Sequence, residues 1–163
     1  MRSVRDGGPA ADLASVFPVE YKLELVMIPV SDVDRAKEFY TQAVGFKLEV
    51  DGQANEGGRI VQVTPPGSAC SIGFGSGLAL ATEPLVTAAP GAQRGLHLAV
   101  DDLAAARDEL IARGVDVGEI RHVNDGRWEV GLDPNRSSYM SFAEFSDPDG
   151  NLWLLQEVRR GGE

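Results

Sequence analysis

The sequence predicts an α+β fold assembled from two copies of one βαβββ unit. Three observations carry that expectation. An apolar β-rich stretch, an Asp-led helical repeat and further short strands succeed one another from Tyr21, and the same order returns from Gly95. The punctuation of the two copies keeps register. Asp32 and Asp102 stand 70 residues apart, as do Ala36-Lys37-Glu38 and Ala106-Arg107-Asp108, while Gly45 and Gly114 stand 69 apart. Last, a four-stranded unit of this size covers only one face of its sheet with its own helix. The other face curves into a groove that needs the second unit, a ligand or both.

Residues 1–18 lack periodicity and read as a leader ahead of a single domain at 21–160, with module one at about 21–78 and module two at about 94–159. In module one, Tyr21–Val30 is the first strand. Asp32 then offers a carboxylate to the free amides of a first helical turn. Ala36, Phe39, Tyr40 and Ala43 recur at helical spacing, and Gly45 stands where a left-handed cap ends a helix. Phe46–Val50, Arg59–Thr64 and Ala69–Gly75 follow as strands, with Pro65-Pro66-Gly67 as a turn. In module two, Gly95–Val100 is a strand and Asp102 the cap. Leu103, Ala106, Leu110 and Ile111 form the buried helix stripe, and Gly114 is the stop. Val115–Val123, Tyr139–Ser146 and Asn151–Val158 are the remaining strands. Asp147-Pro148-Asp149-Gly150 is a turn that answers Thr64-Pro65-Pro66-Gly67 at an offset of 83. Asp125–Ser138 reads as a long irregular loop, either a lid or disordered.

Bulk properties exclude several classes. At 43% hydrophobic and 25% charged residues the chain can bury a core, and no apolar run approaches the roughly 20 residues of a membrane span. A net charge of −10 with scattered Arg residues argues against nucleic-acid and anionic-membrane partners. The single cysteine, Cys70, reads as a small buried strand residue and allows no intramolecular disulfide. With no signal-like N-terminus, a cytoplasmic home is expected.

Ile28-Pro-Val-Ser-Asp-Val-Asp-Arg-Ala-Lys-Glu-Phe-Tyr40 with Gly45-Phe46, Gly95-Leu-His-Leu-Ala-Val-Asp-Asp-Leu103 and Phe145-Ser-Asp-Pro-Asp-Gly-Asn-Leu-Trp153 together resemble the vicinal-oxygen-chelate superfamily of glyoxalases, bleomycin-resistance proteins and extradiol dioxygenases. The resemblance implies two βαβββ modules whose curved mixed sheets enclose one cavity, and commonly a homodimer. It also implies four cavity-facing metal positions. Carried over by motif, these fall on Leu25, on Ser71 or Gly73, on Gly95 and on Leu154. Divalent ions need several His, Asp, Glu or Cys donors converging at roughly 2–2.5 Å. No metal ligand and no cofactor are therefore expected.

Period-two alternation puts Leu23, Met27 and Pro29 on the face of Leu25, His97 and Ala99 on that of Gly95, and Leu152 and Gln156 on that of Leu154. A mostly aliphatic groove with a few polar groups suits a small, apolar or aromatic ligand. The expected ligand-binding residues are Leu25, Met27, Gly73, Gly95, His97, Trp128, Leu154 and Gln156. His97 is the catalytic candidate, by hydrogen bonding or as a general base; a satisfied sheet histidine is the alternative. Trp128 stacks on a ligand, with Arg127 or Arg136 meeting an anionic group, or else anchors its loop. His122 is expected at the surface, and Trp153 against a helix. The leading expectation is metal-free ligand binding, with sequestration or a mild isomerase or lyase step. The alternatives are a divalent-metal lactoylglutathione-lyase-like or extradiol-dioxygenase-like enzyme with atypical ligands starting from His97 and Gln156, and a dimerisation module with an empty groove.

Overall fold

A computed structural model describes residues 19–161; the leader expected at 1–18 lies outside the described residues. The first sheet contains β1 (Leu25–Met27), β2 (Lys47–Gln53), β3 (Arg59–Thr64) and β4 (Ser71–Ser76) in the order β1-β4-β3-β2, with β1 parallel to β4. A small hairpin, β5 (Ala79–Leu80) and β6 (Glu83–Pro84), follows it. The second sheet contains β7 (Leu96–Val100), β8 (Arg121–Asn124), β9 (Arg127–Val130), β10 (Ser141–Ser146) and β11 (Leu152–Glu157). Its order is β7-β11-β10-β8-β9, with β7 parallel to β11. The helices are α1 (Val33–Glu38), prolonged by a π-helical turn over Phe39–Ala43, and α2 (Leu103–Ala112). This is the α+β class with two curved mixed sheets.

Both helices begin as their sequences dictate. The Asp32 carboxylate accepts from the Arg35 amide, and that of Asp102 from the Ala105 amide, each at 3.0 Å. Gly45 and Gly114 sit at φ of 85° and 89°, the left-handed region that a side chain resists. The start of α2 has a second cap. Glu157, fully buried on β11, accepts from the Leu103 amide at 3.0 Å and from the Arg136 guanidinium at 2.7 and 2.8 Å. That guanidinium holds the Glu157 carboxyl below its ordinary range. Arg136 thus ties β11 and the start of α2 through Nε and Nη2.

One core joins the modules. Tyr40 of the π-helical turn packs against Phe46, Phe74 and Trp153, and Phe145 stacks on Trp153. The Trp153 indole N–H donates to the Tyr40 hydroxyl at 3.0 Å, which donates to Asp147 at 2.8 Å. Burial and the Asp147 charge push the phenol's ionisation well above its ordinary range. Asp149 accepts from the Ser31 amide and hydroxyl and from Arg35, while the Asn151 amide donates to the Pro29 carbonyl. The Asp147–Gly150 segment thus does more than turn the chain: its carboxylates clasp module one.

This packing fixes where the open faces look. Trp153 and Phe145 lie on the face of the second sheet opposite Leu154 and Glu144, and they meet the segment that follows α1. In the first sheet, Ile72 and Phe74 face the same core, and Gly73 faces away. Both helical segments therefore lie between the sheets, and the groove faces point outward on opposite sides of the chain. The two sheets curve as expected, but within one chain they do not close on a common hollow.

Four further details depart from the expectations. Ile111 is 42% exposed, outside the α2 stripe, because the helix turns that position to solvent. The first strand pairs over only Leu25–Met27, where β4 supplies partners. In place of a strand over Val115–Val123 there is a single bridge at Val117, and β8 begins at Arg121. Of the Asp125–Ser138 segment, residues 125–130 form a hairpin turn and the strand β9, and residues 131–138 remain irregular. Asp125 and Gly126 at φ of 47° and 75° form a tight two-residue connection between β8 and β9, the left-handed pair that Asp-Gly favours.

Candidate ligand-binding site

The open face of the second sheet is built from alternating positions of four strands. β7 contributes His97, β11 contributes Leu154, β10 contributes Phe142 and Glu144, and β8 contributes Arg121. With Trp128 of the neighbouring β9 these line a hollow of about 700 Å³. Three rings form a row across it. Trp128 meets Phe142 edge-to-face at 5.5 Å, and Phe142 meets His97 the same way at 6.4 Å. Trp128 is 60% exposed, leaving its ring surface available to a ligand. A row of offset edges beside an aliphatic floor is a surface on which a flat molecule gains dispersion and quadrupole contacts.

His97 is oriented by its own strand. Nδ1 lies 2.7 Å from the Gly95 carbonyl oxygen, which can only accept, so Nδ1 carries the proton. The ring lines the hollow, and no hydrogen bond within the described residues engages Nε2. Gly95, at φ 82°, contributes this carbonyl and no side chain. The Gln156 amide donates to the Tyr139 carbonyl at 3.3 Å, so its nitrogen is occupied at the rim. Trp128 and His97 thus stand on one surface with Leu154. His122 does not join them and is not exposed, contrary to the expectation. It is 5% exposed, faces the core and donates from Nδ1 to the Gly131 carbonyl at 2.9 Å. Its neighbour Arg121 alternates to the open face instead.

Leu25, Met27 and Gly73 share the open face of the other sheet. A Cβ at Gly73 would lie 2.6 Å from the Met27 sulfur and 3.1 Å from a Leu25 methyl, so both side chains lean over the glycine. Ser71 faces the same way opposite Leu25, and its hydroxyl is engaged with that of Thr64 at 2.7 Å. The four positions at which relatives would hold a metal are thus aliphatic, glycine or an occupied hydroxyl. Among the described residues no three His, Cys, Asp or Glu side chains gather in a geometry fit for a metal ion. The donor set does not fit the group that the resemblance implies.

The sequence profile of the Glyoxalase/Bleomycin resistance protein/Dioxygenase superfamily matches residues 22–155. The chain belongs to this superfamily. Within the superfamily it is similar to TnmS3, an antibiotic-binding protein from Streptomyces sp. CB03234, at 33% identity and a TM-score of 0.63, covering 85% of this chain and 97% of that one. A glyoxalase/bleomycin resistance protein from the same organism is 34% identical, with a TM-score of 0.60 and coverage of 83% and 99%. The uncharacterized protein YetH of Bacillus subtilis (strain 168) is 23% identical over 81% of this chain and 94% of its own length. Phe142, Glu144 and Arg121 are site residues that the sequence reading missed. The strand Tyr139–Ser146 was legible, and alternation against the buried Ala143 and Phe145 would have placed Phe142 and Glu144 on the open face.

Proposed function

We propose that this superfamily member binds a flat, apolar or aromatic small molecule on the open face of the second sheet without a metal ion, and that it sequesters that molecule. The observation that carries the reading is the ring row Trp128–Phe142–His97 beside Leu154 in an open hollow of about 700 Å³. That volume is of the size that encloses a drug-like ligand. The antibiotic-binding neighbour adds support for a toxic or antibiotic-like ligand class. With one cysteine and, among the described residues, no helix long and apolar enough to cross a membrane, we place this activity in the cytoplasm.

The cavity is completed by a second copy of the chain. Each chain carries two outward half-sites: an aromatic one on the second sheet, and an aliphatic one with Leu25, Met27 and Gly73 on the first. Large apolar side chains stand exposed beside both, Leu23 at 70% and Tyr21 at 91% next to β1, and Val130 at 67% on β9. An isologous homodimer pairs each half-site with its complement in the partner and covers these groups. A second reading, a mild isomerase or lyase step, is favoured by one observation: an imidazole held by the Gly95 carbonyl lines the hollow.

The test is a thermal-shift screen of planar aromatic compounds on protein dialysed against chelator, with metal analysis of the same sample. Binding to the native state raises stability by about 2.7 kcal/mol at a hundredfold excess over Kd. The reading expects shifts that survive chelation. One equivalent of Fe, Zn, Mn or Ni per chain, with binding lost on its removal, would overturn metal independence. A flat response to the whole panel would leave a dimerisation module.

A further inference from the structure

The hollow holds one feature that stacking on rings does not use. Register places Glu144 of β10 opposite Leu154 of β11, and Leu154 beside His97 of β7. At a strand spacing of about 4.8 Å, Glu144 and His97 stand about 10 Å apart with one leucine between them. The Glu144 carboxylate accepts hydrogen bonds, and the His97 ring presents the nitrogen that Gly95 does not engage. The Glu144 side chain takes part in none of the ion pairs among the described residues. Two carboxylates line the hollow, Glu144 and Glu119, against one guanidinium, Arg121. That guanidinium is shared with Glu119 at 3.6 Å. Once a partner closes the site, a carboxylate on an apolar sheet face must find a donor or lose its charge.

Resting on the ligand-binding reading, we infer that Glu144 sets ligand specificity. The site takes planar aromatic molecules that carry a cationic or strongly hydrogen-bond-donating group at one end, set against Glu144. A second donor, a hydroxyl or amine, meets His97 Nε2 about one fused-ring system away. The rings lie over Leu154 against Phe142 and Trp128. Planar molecules bearing an anionic substituent at the Glu144 end are rejected, because like charges are brought together in a poorly hydrated site.

The experiment uses two probes of similar size, 9-aminoacridine, a cation at neutral pH, and anthraquinone-2-sulfonate, an anion. Each is titrated into the intact protein by fluorescence, alongside Glu144→Gln, Glu144→Lys and Glu83→Gln. Glu83 lies on β6, outside the residues that line the hollow, so its variant reports the effect of net charge alone. The cation is expected to bind wild type and Glu83→Gln at least about tenfold more tightly than the anion. Glu144→Gln should abolish most of that preference and Glu144→Lys reverse it. Both probes binding with a preference that Glu144→Gln leaves intact would overturn the specificity assignment while the ligand site stands. Failure of wild type to bind either probe would overturn both.

Discussion

The contact between Tyr40, Trp153 and Asp147 allows a sharp prediction, because one oxygen atom carries both of its hydrogen bonds between the modules. Tyr40→Phe removes that oxygen and little else. Tyr40 is fully buried, and its hydroxyl accepts from the Trp153 indole while donating to Asp147. Without it the Trp153 N–H is left unpaired inside the core, costing about 1–3 kcal/mol. Asp147 loses one donor but keeps the Asp149 amide, the Asn151 amide and the Asn151 side chain, so its loss is about 0.5–1.5 kcal/mol. The sum is about 1.5–4.5 kcal/mol. For a chain of this length that corresponds to a Tm lowered by roughly 3–18 °C. Urea unfolding at one fixed protein concentration measures it, and the midpoint should fall while the slope stays constant. Tyr139→Phe, at a 59% exposed position, is the control and should change stability by less than about 0.5 kcal/mol. A Tyr40→Phe cost as small as that of the control would refute the latch.

Three other outcomes are expected. Arg136 depresses the Glu157 carboxyl below its ordinary 4.5, so this contribution is fully present above pH 4.5 and is lost as pH falls through the lowered value. Tm measured against pH should drop in that acid window, and Glu157→Gln should be less stable at neutral pH and show a shallower acid drop. Trp153 is 1% exposed and Trp128 60%, so a planar ligand should quench the fluorescence of Trp128; Trp128→Phe should remove most ligand-induced quenching while changing stability by less than about 0.5 kcal/mol. Gly73→Ala drives a methyl against the Met27 sulfur, the movable end of a flexible side chain. It should cost under about 1 kcal/mol in denaturant yet weaken ligand binding in titrations, because Met27 must shift into the half-site.

Local chemistry made much of the fold legible. Asp32, Asp102, Gly45 and Gly114 mark the helix ends because a carboxylate cap and a left-handed stop act over three or four residues. The β8–β9 hairpin carried its signal too, in Asp125-Gly126. Other features depend on distant partners. The ion pair of Arg136 with Glu157 joins residues 21 apart in the sequence, and the clasp of Asp149 on Ser31 joins residues 118 apart. The direction in which each groove looks follows from the docking of the α1 region against Trp153, which no local pattern encodes. Sequence alternation therefore identified residues on each groove face without revealing that the two faces of one chain never meet.

Complementation between two disabled variants tests most directly whether two chains share each site. Leu25→Arg blocks the aliphatic half-site and Phe142→Arg the aromatic one, so neither variant alone should bind a planar probe. After the two are mixed, unfolded and refolded together, half the dimers should be mixed, each with one intact site of two. About a quarter of wild-type binding capacity should then return. Recovery of that fraction is the predicted result; no recovery, from a mixture shown to contain mixed dimers, would contradict a cavity shared between chains.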